Sequence, residues 1–372
     1  MLYLDYAANT PVDPKVLESF TKLSTEYIAN PNAAHTLGKA AKDKLDDYTA
    51  EIASLLEVKP SEIIYTSGAT ESNNLAIIGA CHYYKRYGKH IITTYLEHSS
   101  VSSTATSLHN EGYEIEFVDI LPNGEIDLEH LKSLLRSDTI MIALSEVDSE
   151  LGARQPISKI RELLDSKYPH CLLHVDATQA IGKVKVPMEH VDLLTFSAHK
   201  FYGLNGCGVL IKKDKVMLEP IIHGGTSTTA FRSGTPTLAL IGSLGEALKL
   251  AETTREARYE YVSRLNDHLR KGLGAYKNVI INSPLEGSPY ILNLSIIGIK
   301  AREVQERLAE REIYVATKSA CCTLNSPSRP VYAITKDRKM ALSTLRISLS
   351  HLTTEEEVKA FLVQIGQVLA SF

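Results

Sequence analysis

An α/β fold is what the sequence predicts: a large domain built on a mainly parallel, helix-covered sheet, followed by a smaller α+β C-terminal domain. Three observations carry that expectation. Short apolar runs alternate with helical stretches from about residue 60 to 212. Those runs are apolar almost throughout, as strands buried on both faces are. After about residue 237 the texture changes to one long helical period followed by short strands and a terminal helix.

The elements follow in order. "EIIYTSG" (62–68) reads as a strand running into a glycine turn, and 69–88 as a helix. "HIITTYLEH" (90–98) reads as a strand, with a helix near 99–111. "EIEFVDI" (114–120) is the next strand, and 127–137 the next helix, with Asp127 as its N-cap. Further strands are expected at 139–147, 171–177 and 192–198. "CGVLIKK" (207–213) follows too closely for a helical crossover and is expected to run antiparallel. Beyond the long helix, strands are expected at 278–283, 290–296, 313–317 and 344–350, then a helix opened by the capping box of Thr354 and Glu357.

Composition narrows the function. The chain has 372 residues, too many for one small core, so two domains are the natural reading. Apolar residues at 44% and charged residues at 23% describe an ordinary globular protein. A net charge of -4 gives no electrostatic reason to expect nucleic acid or an anionic membrane as partner. No apolar run approaches the roughly 20 residues of a membrane helix. The opening "MLYLDYAANTP" has neither signal-peptide nor transit-peptide character. Five cysteines, an odd number spread along the chain, argue against a disulfide framework and for a reducing cytoplasm. No cysteine–histidine spacing suits zinc, so no metal is expected.

In an open α/β sheet, ligands collect at the carboxyl ends of the strands. "TSGATE" (66–71) places Ala69 and Thr70 at a helix start, where backbone N–H groups suit a phosphate. "HVDATQ" (174–179) ends a strand on Asp176 with Gln179 just beyond. "SAHK" (197–200) ends the next strand on Lys200, flanked by Ser197 and His199. An apolar setting lowers a lysine pKa and favours a neutral amine able to form a Schiff base. His98 ends the strand 90–98. Taken singly, each has a bland reading as a turn, an N-cap, a snorkelling lysine or a structural histidine. Together they match what pyridoxal phosphate (PLP) requires: a lysine, a carboxylate for the ring nitrogen and a phosphate cradle. "GLNGCG" (203–208) precedes a strand rather than a helix, so it is no dinucleotide fingerprint.

"YLDYAANTPVDP", "TSGATESNNLAI", "HVDATQAIGK", "SAHKFYG", "FRSGTPT", "SAC" and "LRISLS" occur in the order seen in NifS/IscS-like cysteine desulfurases, and the chain resembles that family over nearly its whole length. These are fold-type I PLP enzymes of the class V aminotransferase group. The resemblance implies a division into an N-terminal segment (1–15) packing with the small domain, a large PLP-binding domain (16–250), and a small domain (251–372) carrying the cysteine loop. It implies that Lys200 carries PLP, Asp176 faces the ring nitrogen, Gln179 bonds the ring hydroxyl and His98 stacks on the ring. Ala69, Thr70, Ser197 and His199 would hold the phosphate, with Thr235 arriving from the other subunit of a homodimer. Arg346 would grip the carboxylate of L-cysteine, and Cys321 would take its sulfur as a persulfide. The product would be L-alanine, and a sulfur-acceptor protein would receive the persulfide, for iron–sulfur cluster assembly or tRNA thiolation. A selenocysteine lyase-like enzyme and a weakened homologue serving as a sulfur-transfer scaffold are the alternatives.

Three departures from the family pattern stand out. Ser149, in "DSELG" (148–152), replaces an expected asparagine, with Asp148 adding an acid beside it. Thr226, Ser227 and Thr228 follow "HGG" (223–225). Lys318 precedes "SAC", and a second cysteine, Cys322, follows it directly. Residues 318–330 have a loop's composition, suited to a nucleophile that must serve two sites.

Overall fold

The computed structural model of the chain describes residues 1–227, 229–318 and 326–372. Its elements, in chain order, are β1 (Leu2–Tyr3), α1 (Pro14–Glu26), α2 (Thr36–Leu55), β2 (Ile63–Thr66), α3 (Ala69–Tyr84), β3 (His90–Thr93), α4 (Ser99–Asn110) and β4 (Glu114–Phe117). Then come α5 (Leu128–Leu134), β5 (Thr139–Ser145), α6 (Ile157–Lys167), β6 (Leu172–Asp176), β7 (Leu193–Ser197), β8 (Gly208–Lys212) and α7 (Leu238–Leu273). The C-terminal part adds β9 (Val279–Ile281), β10 (Ile291–Ile296), α8 (Ala301–Ala309), β11 (Ile313–Tyr314), α9 (Arg329–Thr335), α10 (Arg338–Leu342), β12 (Thr344–Ser348) and α11 (Glu355–Leu369).

The main sheet has seven strands in the order β2-β8-β7-β6-β5-β3-β4. The neighbours from β7 to β4 pair in parallel, and β8 runs antiparallel to both β2 and β7. The carboxyl ends of β2, β3, β5, β6 and β7 therefore share one edge with the start of β8. The inner strands β5, β6, β7 and β8 are buried along their whole length, as parallel strands covered on both faces must be. This is the α/β architecture the apolar runs predicted, with β8 antiparallel as expected.

Several strands are shorter than their apolar runs. The strand expected over 90–98 stops at Thr93, because the Thr94 hydroxyl accepts from Leu96 N (2.9 Å) and donates to Glu97 (2.7 Å), turning the chain. The strand expected over 313–317 is reduced to two residues, after which Ala316 bridges Arg346.

A three-stranded antiparallel sheet, β12-β10-β9, holds a second core with α8, α11 and the far half of α7. Helix α7 belongs to both cores: Leu238 to Ala251 pack in the first, Val262 to Leu273 in the second. The N-terminal segment joins the second core, where Leu2 and Leu4 are buried and β1 pairs in parallel with β11. The helix starts read from sequence are realised. Asp127 caps α5 by accepting from Glu129 N and His130 N, and the Thr354–Glu357 capping box opens α11.

Candidate active site

A cavity of 470 Å³ opens at the carboxyl edge of the main sheet. Ala69, Thr70, His98, Asp176, Gln179, His199, Lys200 and Arg346 all line it. Ser197 stands just behind, with Oγ 2.8 Å from His199 Nδ1. Thr235 is exposed and does not line this cavity. Cys321 and Cys322 lie outside the described residues, as does Thr228.

Each side chain reaches the cavity for a local reason. Lys200 sits on the single turn that follows β7, and its Nζ donates to the carbonyls of Ala7 (3.0 Å) and Ala8 (2.6 Å). Asp176 ends β6. Its Oδ1 accepts from Thr178 N (2.9 Å) and its Oδ2 from Asn73 Nδ2 (2.8 Å), so the turn-forming role is real but uses only half the carboxylate. His98 is the N-cap of α4: Nδ1 accepts from Ser100 N (3.1 Å), which fixes the ring at the cavity wall. Burial, with Lys200 and Arg329 nearby and only partly offset by Asp176, holds the His98 pKa below the usual histidine range. His199 is pushed down to about 4 by burial and by Lys200 and Lys183. Both rings are therefore neutral at neutral pH, with one N–H each.

The start of α3 lines one end of the cavity. Gly68 precedes it, and the first residue of β8 presses against that turn: a Cβ at Gly208 would stand 2.5 Å from Gly68 Cα. Glu71, in the first turn of α3, is paired with Arg232 (Nε–Oε1 2.8 Å). Burial raises its pKa, but Arg232 and Ser67 more than offset this and hold it below the usual carboxylate range.

Across the cavity Arg346, from β12, is buried. Nη1 donates to Ser149 O (2.9 Å) and Nη2 to Asp5 (2.7 Å). The Ser149 main chain thus supports the guanidinium. Asp148 beside it faces away from the cavity: its Oδ2 accepts from Glu150 N (2.9 Å) and also from Leu151 N. Burial and Glu150 push the Asp148 pKa up to about 7. Lys318 donates to the Ser326 hydroxyl (2.7 Å), and the expected loop already ends at Ser328, which caps α9.

Sequence reasoning missed several participants. The Ala7 and Ala8 carbonyls act through the backbone, which no side-chain pattern reveals. Asn73 and Lys183, buried next to the named residues, were hidden inside the quoted motifs; an amide on an apolar helix face was the available signal.

Three buried polar atoms of the cavity wall, Ser145 Oγ, Thr178 Oγ1 and Arg346 Nε, have no hydrogen-bond partner among the described residues. An amine, a carboxylate, a neutral histidine and a helix N-terminus around one cavity fit the amine-reactive, basic-ring and phosphate groups of PLP.

Comparison with known proteins agrees with this geometry. The class-V aminotransferase family model matches residues 2–361. The cysteine desulfurase IscS of Neisseria meningitidis serogroup C (strain 053442) is 40% identical over 366 residues, covering 96% of this chain and 89% of that protein. A solved NifS-like protein superimposes with a TM-score of 0.93 at 33% identity, over 100% of both chains. A structure of SspA in complex with cysteine gives a TM-score of 0.83 at 31% identity, covering 95% of this chain and 100% of that one.

Proposed function

The chain belongs to the class-V aminotransferase family, and from that premise we propose that it is a PLP-dependent cysteine desulfurase. It converts L-cysteine to L-alanine and leaves the sulfur on an enzyme thiol. The observation that supports the site assignment is the meeting of Lys200, Asp176, His98 and Arg346 in one cavity, at the N-terminus of α3.

When bound, PLP supplies the electron sink that makes loss of the substrate Cα proton feasible. Lys200 would hold the cofactor, and its Nζ would take the Cα proton. Asp176, kept in place by Asn73, would serve the ring nitrogen, and Gln179 the ring hydroxyl. The neutral His98 ring would stack on the cofactor. Ala69, Thr70, Ser197 and His199 would hold the phosphate, joined by Thr235 across a homodimer. Arg346 forks onto the substrate carboxylate, a planar match that a lysine would not reproduce. The Cys321 thiolate attacks the substrate sulfur. An S–S bond forms as the carbon–sulfur bond breaks, and the net change is Cys321–SH plus L-cysteine giving Cys321–S–SH plus L-alanine. The persulfide then passes to an acceptor protein of iron–sulfur assembly or tRNA thiolation in the cytoplasm. None of the described helices is long and apolar enough to cross a membrane.

The test is a single turnover. Purified protein should be yellow, borohydride should fix the cofactor on Lys200, and one equivalent of L-cysteine should yield alanine with a mass increase of one sulfur on Cys321. Cys321→Ser should keep the colour and lose the persulfide, while Cys322→Ser should keep both. Arg346→Lys should raise KM for L-cysteine and leave the spectrum unchanged. A colourless protein that gains no chromophore on adding PLP would refute the assignment.

A further inference from the structure

Beneath the cavity lies a second lysine that the reaction does not use. Lys183 is buried, and its Nζ donates to Gln179 Oε1 at 2.8 Å. Gln179 Nε2 in turn donates to Ala7 O (2.8 Å), the carbonyl that also accepts from Lys200 Nζ (3.0 Å). A chain of hydrogen bonds thus connects the buried Lys183 amine to the Lys200 amine through the Gln179 amide and the Ala7 carbonyl. The turn that carries Lys183 is tightly constrained. Gly182 has φ +74°, and a Cβ there would stand 3.0 Å from both Ala251 Cβ and Phe201 Cβ.

The setting is unfavourable to a cation. The charged groups acting on Lys183 are Lys200 and Arg346, both positive. The Tyr290 ring centroid, 5.9 Å from Nζ, is a weak aromatic neighbour. Burial and the two cations push its pKa down to about 7. A residue present only to pack this turn would be apolar, because an unpaired buried charge costs stability that a hydrophobe of equal volume recovers.

We propose that Lys183 is a positioning residue that fixes the Gln179 amide, holding its oxygen inward and its NH2 toward Ala7 and the cavity. Lys183 Nζ donates to the amide oxygen, so that oxygen faces it. The two ends of a glutamine amide are nearly isosteric; Ala7 O favours the NH2 on its side, and Lys183 reinforces that choice by donating to the oxygen on the other. The cofactor's ring hydroxyl then meets a donor rather than a carbonyl. This inference rests on the reading that Gln179 serves that hydroxyl.

The experiment compares wild type, Lys183→Met, Lys183→Arg, Gln179→Leu and the Lys183→Met/Gln179→Leu double variant. Readouts are the melting temperature of each apoprotein, its equilibrium PLP affinity, and the visible absorbance of the loaded form against pH. Lys183→Met should melt at or above wild type yet bind PLP about tenfold more weakly, the loss of one oriented hydrogen bond. Lys183→Arg, which keeps a donor-only head, should stay within about threefold of wild type. In the Gln179→Leu background Lys183→Met should change PLP affinity no further. A Lys183→Met protein that fails to fold, that binds PLP as wild type does, or that loses affinity equally in both backgrounds overturns the proposal, as does a Lys183→Arg protein no better than Lys183→Met. A wild-type apoprotein that takes up no PLP overturns the reading of the cavity itself.

Discussion

Asn73 Nδ2 lies 2.8 Å from Asp176 Oδ2, and the same nitrogen lies 2.9 Å from Ser100 Oγ. The amide oxygen accepts from His174 Nε2 (3.1 Å) and from Thr195 Oγ1. His174 is pushed down to about 4 by burial, so its neutral ring donates from Nε2. One buried amide therefore orients the carboxylate expected at the cofactor nitrogen. Asn73→Leu should remove hydrogen bonds to four polar groups, at about 1–3 kcal/mol of stability. PLP should also bind more weakly, as read by equilibrium dialysis of the refolded apoprotein. Unchanged melting and unchanged affinity would mean that Asp176 needs no such support.

Arg232 pairs with Glu71 in the first turn of α3. Removing it leaves an uncompensated carboxylate beside the proposed phosphate site, so Arg232→Ala should weaken PLP or inorganic phosphate binding by about fivefold, the equivalent of about 1 kcal/mol. Adding Glu71→Gln to that variant should restore most of the loss. If the second change has no effect, Arg232 acts other than through Glu71.

Gly208 has no room for a side chain against Gly68. Gly208→Ala should displace the turn before α3. The expected outcome is an apoprotein destabilised by about 1–3 kcal/mol, the usual cost of overpacking, and a larger relative loss of PLP affinity than of melting temperature. Equal PLP affinity in the folded variant would separate that turn from the cofactor site.

Lys183 makes stability depend on pH in a defined direction. A lysine in an unfolded chain keeps its proton until about pH 10.4, whereas burial brings Lys183 down to about 7 in the fold. Between those values the unfolded state binds the extra proton, so stability at this position rises with pH. The advantage in melting temperature of Lys183→Met over wild-type apoprotein should therefore be greatest at and below pH 7 and shrink toward pH 10. A constant difference across that range would show that Lys183 is not titrating as its surroundings dictate.

What the sequence made legible were positions where a polar residue ends an apolar run. Asp176 and Lys200 stand out because a strand buried on both faces tolerates such groups only at its end. His98 was legible as a candidate, but its run continued past the true strand end at Thr93, since the turn depends on a side-chain hydroxyl rather than on glycine or proline. Lys183 was not legible: it stood unremarked at the end of "HVDATQAIGK", and the packing of Phe201 and Ala251 against Gly182 accompanies its burial. Asp148 looked like an acid added to the pocket, yet its carboxylate closes its own turn.

The pairing of β1 with β11 has a temporal side. Leu2 N reaches Glu312 O (2.8 Å), Leu4 N reaches Tyr314 O (2.9 Å), and Ser348 N reaches Leu4 O (2.8 Å), so the segment bearing the Ala7 and Ala8 carbonyls is anchored by residues made near the end of translation. At roughly 5–20 residues per second, a ribosome needs roughly 17–70 s to go from the first of these residues to the last. Over the later part of that interval, after residue 200 has been made, the chain carries Lys200 with the Ala7–Ala8 segment held only by Gln179 and residues 199–202 and not yet by the C-terminal strands. A chain stalled between residues 201 and 312 carries the amine while β1, the strand before that segment, still lacks its β11 partner.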